Sequence, residues 1–177
     1  NSLVWMVGID SFEVRYNTGT GTQPFEPLSG LEGRYGIVAP FAWSLFGQNK
    51  GWLARNQEGA GPFVIASRSD MRPISTYPIS AALSRYARNS TLDDAELVVY
   101  QDDGHTFGCL NFPRANKTWC VDADRASWTE RGYWNSVTGV YDMWRPRVHG
   151  YAWGKHLVGD RTTGTIARMG SDLYTEL

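Results

Sequence analysis

The sequence has 177 residues, enough to bury a core and to form one ordinary domain. With 42% hydrophobic residues, 20% charged residues and a net charge of −1, it reads as folded, with no general case for nucleic-acid or membrane affinity. No apolar run approaches the ~18–20 residues of a membrane span, and no signal peptide is visible. Nineteen Gly and eight Pro scattered along the chain suit many short strands joined by turns.

In chain order, Leu3 to Val7 and Ser11 to Tyr16 read as the end of a unit whose first strand is missing. The chain also opens at Asn1, inside an apolar stretch, so a cut or partial product is expected. Ala42 to Phe46, a turn at 47–50, Gly51 to Arg55, a turn at Gly59-Ala60-Gly61 and Pro62 to Ala66 predict a first three-stranded meander. One helix is predicted near 77–89. Ser75 or Thr76 can cap it, Pro78 suits its first turn, and Ile79, Leu83 and Tyr86 share a face. A second meander runs through Leu97 to Tyr100, an Asp102-Asp103-Gly104 turn, His105 to Phe112, an Arg114-Ala115-Asn116 turn and Thr118 to Asp122. A third runs through Val148 to Ala152, a tight Trp153-Gly154 turn, Lys155 to Gly159, a turn at Thr162-Thr163-Gly164 and Thr165 to Met169.

The third strands of these meanders begin at 62, 118 and 165. Small sheets repeating at such intervals are the pattern of propeller blades, which cover their faces by stacking. The predicted fold is therefore all-β: propeller-like blades of antiparallel meanders, with one short helix. The units are roughly 1–30, 31–76, 77–134 and 135–177, a partial propeller belonging to a longer chain. An open sandwich is the alternative.

The run from Glu96 to Trp134 carries a specific resemblance. It stands with Phe12-Glu13-Val14, Tyr16-Asn17-Thr18-Gly19, Pro24-Phe25, Gly36-Ile37-Val38-Ala39-Pro40 and Ile74-Ser75-Thr76 before it. Gly104-His105-Thr106-Phe107, Phe112-Pro113, Thr118-Trp119 and Trp128-Thr129-Glu130-Arg131 lie within it, and Gly154-Lys155-His156-Leu157-Val158-Gly159-Asp160 follows. In order and spacing these stretches resemble the packaged-DNA-stabilising tail proteins of short-tailed bacteriophages. The chain departs from that family in lacking its N-terminal blades. It also carries Gly108, Cys109 and Cys120 where bulkier β-formers are expected.

The resemblance implies a structural virion protein of the tail hub or nozzle, made in the bacterial host cytoplasm. It implies a homo-oligomer of six copies that joins the portal or adaptor and other tail proteins and extends the portal channel. Packaged double-stranded DNA would pass with weak contact, since tight phosphate binding would slow ejection. Arg145, Arg147, Lys155 and Arg161 lie in the more basic part of the chain: residues 114–168 carry nine Lys/Arg against five Asp/Glu.

No catalytic, cofactor or metal site is expected. His105, His149 and His156 show no short ligand spacing. Asp93-Asp94, Asp102-Asp103 and Asp122/Asp124 are better explained as turn formers than as paired catalysts, and Asp122/Asp124 lack the glycine and terminal Glu of an EF-hand loop. Gly19-Thr20-Gly21 reads as a loop, and no P-loop or nucleophile elbow is present. Cys109 and Cys120 either face each other across a hairpin or, the preferred reading, sit as reduced core thiols. The sequons at 89–91 and 116–118 read as chance matches. The eight Trp read chiefly as packing between blades, although a sugar-stacking platform on a carbohydrate-binding propeller or sandwich is the rival function.

Overall fold

The computed structural model describes residues 3–19, 21–56, 59–68, 70–89, 92–170 and 173. The first sheet is a meander of β1 (Leu3–Val7), β2 (Phe12–Asn17) and β3 (Phe25–Gly33). Strand alternation turns Leu3, Trp5 and Val7 inward, opposite the buried Phe12 and Val14 of β2. The third strand, β3, was not expected. Pro27 and Gly30 lie inside it, Gly30 at a φ of +87°, and its pairing with β2 slips near Glu13 and Arg15, so no clean period of two marks it.

The second sheet holds β4 (Gly36–Ile37), β5 (Trp43–Phe46), β6 (Asn49–Asn56), β7 (Gly59–Ala66) and β8 (Met71–Pro73), with β5 and β4 both paired to β6. Gly59-Ala60-Gly61 begins β7 rather than forming the predicted turn, and residues 57 and 58 between the strands lie outside the described residues. The predicted turn at 47–50 is narrower, because Asn49 already pairs with Phe46.

Helix α1 spans Tyr77–Asn89 and buries Ile79, Ala82, Leu83 and Tyr86. The Thr76 carbonyl accepts the Ser80 amide at 2.9 Å, which makes Thr76 the residue that opens the helix. The Ser75 hydroxyl instead accepts the Phe63 amide of β7 at 3.1 Å, tying the helix entry to the second sheet.

The third sheet is a five-stranded meander: β9 (Glu96–Asp102), β10 (His105–Phe112), β11 (Lys117–Asp122), β12 (Ser127–Asn135) and β13 (Val140–Met143). At the β9–β10 turn Asp103 and Gly104 both take positive φ, +46° and +79°, the conformation that suits a two-residue hairpin. The fourth sheet is β14 (Pro146–Ala152), β15 (Lys155–Asp160) and β16 (Ile166–Met169).

Three apolar layers lie between successive sheets. Phe12, Val14 and Leu31 of the first sheet meet Trp52, Ala54, Val64 and Ala66 of the second. The opposite face of the second sheet, with Leu53, Phe63 and Ile65, packs on α1 and on Leu110, Phe112 and Val121 of the third. The reverse face of the third sheet carries Tyr100, Cys109 and Cys120, which meet Trp144 and Met169. Four sheets stacked face to face in sequence order, the second and third covered on both faces, make an all-β, propeller-like architecture.

Phe46 links the second and third sheets. A side-chain carbon on Gly108 would run into its ring, and one on Gly51 would come within 2.5 Å of the same ring. That contact is why Gly108 stands where the sequence led one to expect a bulkier residue.

Candidate functional site

The chemistry-bearing residues of the chain gather on the face of the third sheet turned toward the fourth. Glu96, Asn111, Thr118 and Arg131 are mutual partners in cross-strand register across β9 to β12, so they form one row on one face. Each reaches across the seam. Glu96 pairs with Arg161 Nη2 at 2.7 Å and with Arg147 Nε at 3.0 Å. The buried Asn111 amide donates to the Pro146 carbonyl at 3.0 Å and accepts the Thr118 hydroxyl at 2.7 Å. Thr118 Oγ1 in turn accepts the Trp144 amide at 3.1 Å. The Arg131 guanidinium lies over the rings of Trp144, Tyr100 and Phe107, at 5.4, 5.5 and 5.9 Å from their centroids.

This arrangement changes the reading of the basic C-terminal part. Arg147 and Arg161 are engaged with Glu96. Arg145 pairs with Asp160 at 3.4 Å and lies over Tyr133 at 4.2 Å. Of the four cations singled out in the sequence, three are therefore paired with carboxylates of the same chain, and Lys155 is exposed.

Cys109 and Cys120 are directly paired across β10 and β11 and buried, as free thiols with Sγ atoms 2.8 Å apart. The two residues therefore face each other across the hairpin and both lie in the core. Burial pushes the Cys109 thiol well above its ordinary range.

A second cluster brings together His105, Asp122 and Asp124 at the edge of the same sheet, with one ligand atom from each within 4.8 Å of the others. His105 Nδ1 lies 3.0 Å from Asp122 Oδ2. The remaining carboxylate capacity serves the backbone: Asp122 Oδ1 accepts the amides of Asp124 and Arg125, and Asp124 Oδ2 accepts that of Thr106 at 2.8 Å. Asp122 thus performs the turn-forming role expected of it, whereas Asp124 instead ties the turn to the start of β10. Asp94 likewise accepts the Arg114 amide, while Asp93 pairs with the Arg114 side chain.

The third grouping was missed in the sequence. His149 of β14 and His156 of β15 meet with Nε2 and Nδ1 2.9 Å apart, and His156 Nε2 lies 3.8 Å from Asp102 Oδ1. They line a cleft of about 610 Å³ with Tyr100, Tyr151, Asp103 and Thr106. A search for helical ligand spacing does not find them, but the predicted hairpin does. A turn at Trp153-Gly154 pairs Tyr151 with His156 and His149 with Val158, which puts both imidazoles on one face.

The Trp residues divide. Trp52 and Trp144 are buried and Trp5, Trp119 and Trp128 pack against core clusters, whereas Trp43, Trp134 and Trp153 are exposed. In the 116–118 sequon, Asn116 is held by Asp142 and the Met143 amide. Ser90 and Thr91 of the other sequon, and Thr20 of the Gly-rich loop, lie outside the described residues.

Several of these groups bind protons less tightly in the fold than in an open chain. Burial, and then the charge of His156, hold His149 below the usual imidazole range. Burial raises Asp122, but the bond from His105 and the amides of Arg125 and Asp124 outweigh it, leaving a net lowering. The Asn116 and Asn135 amides lower Asp142, and the Thr162 hydroxyl and nearby amides hold Asp160 well down. A group lowered in this way contributes its full stabilisation above its unfolded-state value and loses it as pH falls through the folded one. The melting temperature is therefore expected to drop in two stages on acidification, the first below about 6.5 from His149 and the second below about 4 from the carboxylates. Circular-dichroism melts from pH 8 to 3 check this. His149→Gln removes the first stage, and a wild-type midpoint that is flat down to pH 5 refutes it.

A family model described as phage stabilisation, bacteriophage P22 Gp10, beta-propeller, matches residues 1–174. No curated protein matches the chain.

Proposed function

The chain belongs to the phage-stabilisation family of bacteriophage P22 Gp10, a β-propeller family of phage structural proteins, and from that membership we propose that it serves in the virion tail. In this reading the protein is made in the host cytoplasm and assembles as six identical subunits around an axis, as a tail hub or nozzle. The ring joins the portal or adaptor and other tail proteins, extends the portal channel and retains packaged double-stranded DNA. The four sheets act as successive blades, and the work is mechanical. The observation that carries the reading is the family match over residues 1–174.

Two features of the surface support an assembly role. Trp134 and Tyr141, paired across β12 and β13, are exposed together, and Val148 and Ile166, in line through Gly159, are exposed together on one face of the fourth sheet. The pairing of Arg145, Arg147 and Arg161 within the chain leaves little free positive charge there, which suits weak contact with passing DNA.

Electron microscopy of the protein mixed with portal rings tests the proposal. Sixfold density seated below the portal is the expected result; absence of any ring or portal complex overturns it. A glycan-binding screen separates the carbohydrate-binding alternative, since a saturable sugar ligand engaging the exposed Trp residues would favour that function.

Trp153 gives a sharper test. It occupies the first turn position of the β14–β15 hairpin at a φ of +53°, where Asn or Gly is the usual residue, and it is 88% exposed. A bulky residue in that conformation costs roughly 1–2 kcal/mol. A position that breaks a local rule while exposing its side chain fits a contact with a partner. Trp153→Asn is expected to stabilise the isolated chain by about 1 kcal/mol and to weaken ring or portal assembly. Unchanged assembly would remove Trp153 from the interface.

A further inference from the structure

We propose that His149 and His156 form a chelating pair for a divalent transition-metal cation, bound in the cleft between β9 and the β14–β15 hairpin. This inference rests on side-chain geometry alone and stands apart from the virion role.

The two nitrogens that face each other, His149 Nε2 and His156 Nδ1, are 2.9 Å apart. Imidazole nitrogens bound to one metal at about 2.0–2.1 Å stand about 2.9 Å apart when they subtend a right angle, and about 3.4 Å apart at the tetrahedral angle. The separation of the two nitrogens therefore matches a tetragonal Cu²⁺ or Ni²⁺ site and falls a few tenths of an ångström short of a tetrahedral Zn²⁺ site; small rotations of the rings would aim both nitrogens at one ion.

A negative charge lies behind one of the two rings. For His156 Nδ1 to be a ligand, its proton must sit on Nε2, and that atom faces Asp102 Oδ1 at 3.8 Å. At that distance the carboxylate acts through its charge rather than through a hydrogen bond. The rings are also fixed in place: Tyr151 packs edge-on to His156 with centroids 4.9 Å apart, and Tyr100 lies 5.7 Å from His149 and 6.0 Å from His156. The cleft of about 610 Å³ leaves room for water to complete the coordination sphere, and Asp102 and Asp103 give it negative charge.

A hydrogen bond between two neutral imidazoles would give the same 2.9 Å, and metal titration separates the two. Cu²⁺ is added to the purified full chain and binding is followed by calorimetry and electron paramagnetic resonance. The expected result is one site per chain whose spectrum shows coupling to two nitrogens. His149→Gln and His156→Gln are each expected to weaken binding at least tenfold. Asp102→Asn, which leaves both ligands in place and removes a nearby negative charge, is expected to weaken it about two- to fivefold. His105→Gln should change nothing, because the His105–Asp122–Asp124 cluster is a separate place. Circular dichroism of each variant verifies folding. Should a histidine variant fail to fold, the wild-type spectrum and Asp102→Asn still decide. The proposal is overturned by the absence of one-to-one binding, by coupling to fewer than two nitrogens, or by binding that survives both His substitutions and falls with His105→Gln.

Discussion

Replacing Phe46 by alanine is expected to destabilise the chain by about 3–5 kcal/mol, the range for removing a buried aromatic ring from a packed core. The ring is 5% exposed and packs edge-to-face on Phe63, at 5.8 Å between centroids, against the two glycines Gly51 and Gly108. Because Gly51 belongs to the second sheet and Gly108 to the third, the cavity would open between sheets, where neither can relax alone. The neighbouring glycines make the prediction specific. In the wild type, Gly108→Ala forces a methyl into the Phe46 ring and should cost about 1–3 kcal/mol, the usual range for overpacking. In the Phe46→Ala background the same methyl enters vacated space, and its cost should vanish or change sign. Urea unfolding of the four members of this cycle measures the coupling. Strictly additive effects would mean that Phe46 and Gly108 do not share the contact.

Much of the fold was legible in the sequence where a period of two is bracketed by strong turn residues. Leu3–Val7, His105–Phe112 and the helix Tyr77–Asn89 fall where the sequence put them. The reasons are local: alternating apolar residues in β1, Asp103-Gly104 before β10, and Thr76 followed by Pro78 at the helix start. The misses are equally physical. The two strands β4 and β8 are two and three residues long, too short for any period to show. In β3 the side chains are mostly exposed, so burial imposes no alternation. Gly59 to Gly61 has the composition of a turn but forms ladder pairs, Asn56 with Gly59 and Arg55 with Ala60; tertiary pairing overrides local preference there.

The candidate site was less legible, since it depends on which strands lie face to face. Asp122 could be assigned to a turn because an aspartate bonds amides two or three residues away, whereas the amides held by Asp94 and Asp124 are twenty and eighteen residues distant. Glu96 and Arg161 lie sixty-five positions apart, and no local pattern joins them. His149 and His156 are an intermediate case. On a helix their seven-residue separation would set them two turns apart, yet the register of a two-residue hairpin brings them together once Trp153-Gly154 is taken as the turn.

Glu96→Ala is expected to cost about 3–5 kcal/mol, comparable with the loss of Phe46, because it leaves a mostly buried cation without its partner. The carboxylate and the Arg161 side chain are each 14% exposed, and Arg161 Nε already lacks a hydrogen-bond partner. Arg161 therefore depends on Glu96 for the bond its Nη2 makes at 2.7 Å. The second pair at the same carboxylate should matter far less. Arg147 is 58% exposed, so Arg147→Ala should cost less than about 1 kcal/mol and less still at high salt. The two arginines thus separate a buried charge from a solvated one on a single acceptor. Replacing both members of the buried pair, as Glu96→Met with Arg161→Met, should recover most of the lost stability, since no charge is then stranded. Hydrogen exchange locates the damage. Glu96→Ala should speed exchange in β14 and β15, which the seam holds against the third sheet, and leave β6 and β7 protected. Equal loss of protection in all four strands would mean that the fourth sheet does not open independently and that the seam is part of a single cooperative core.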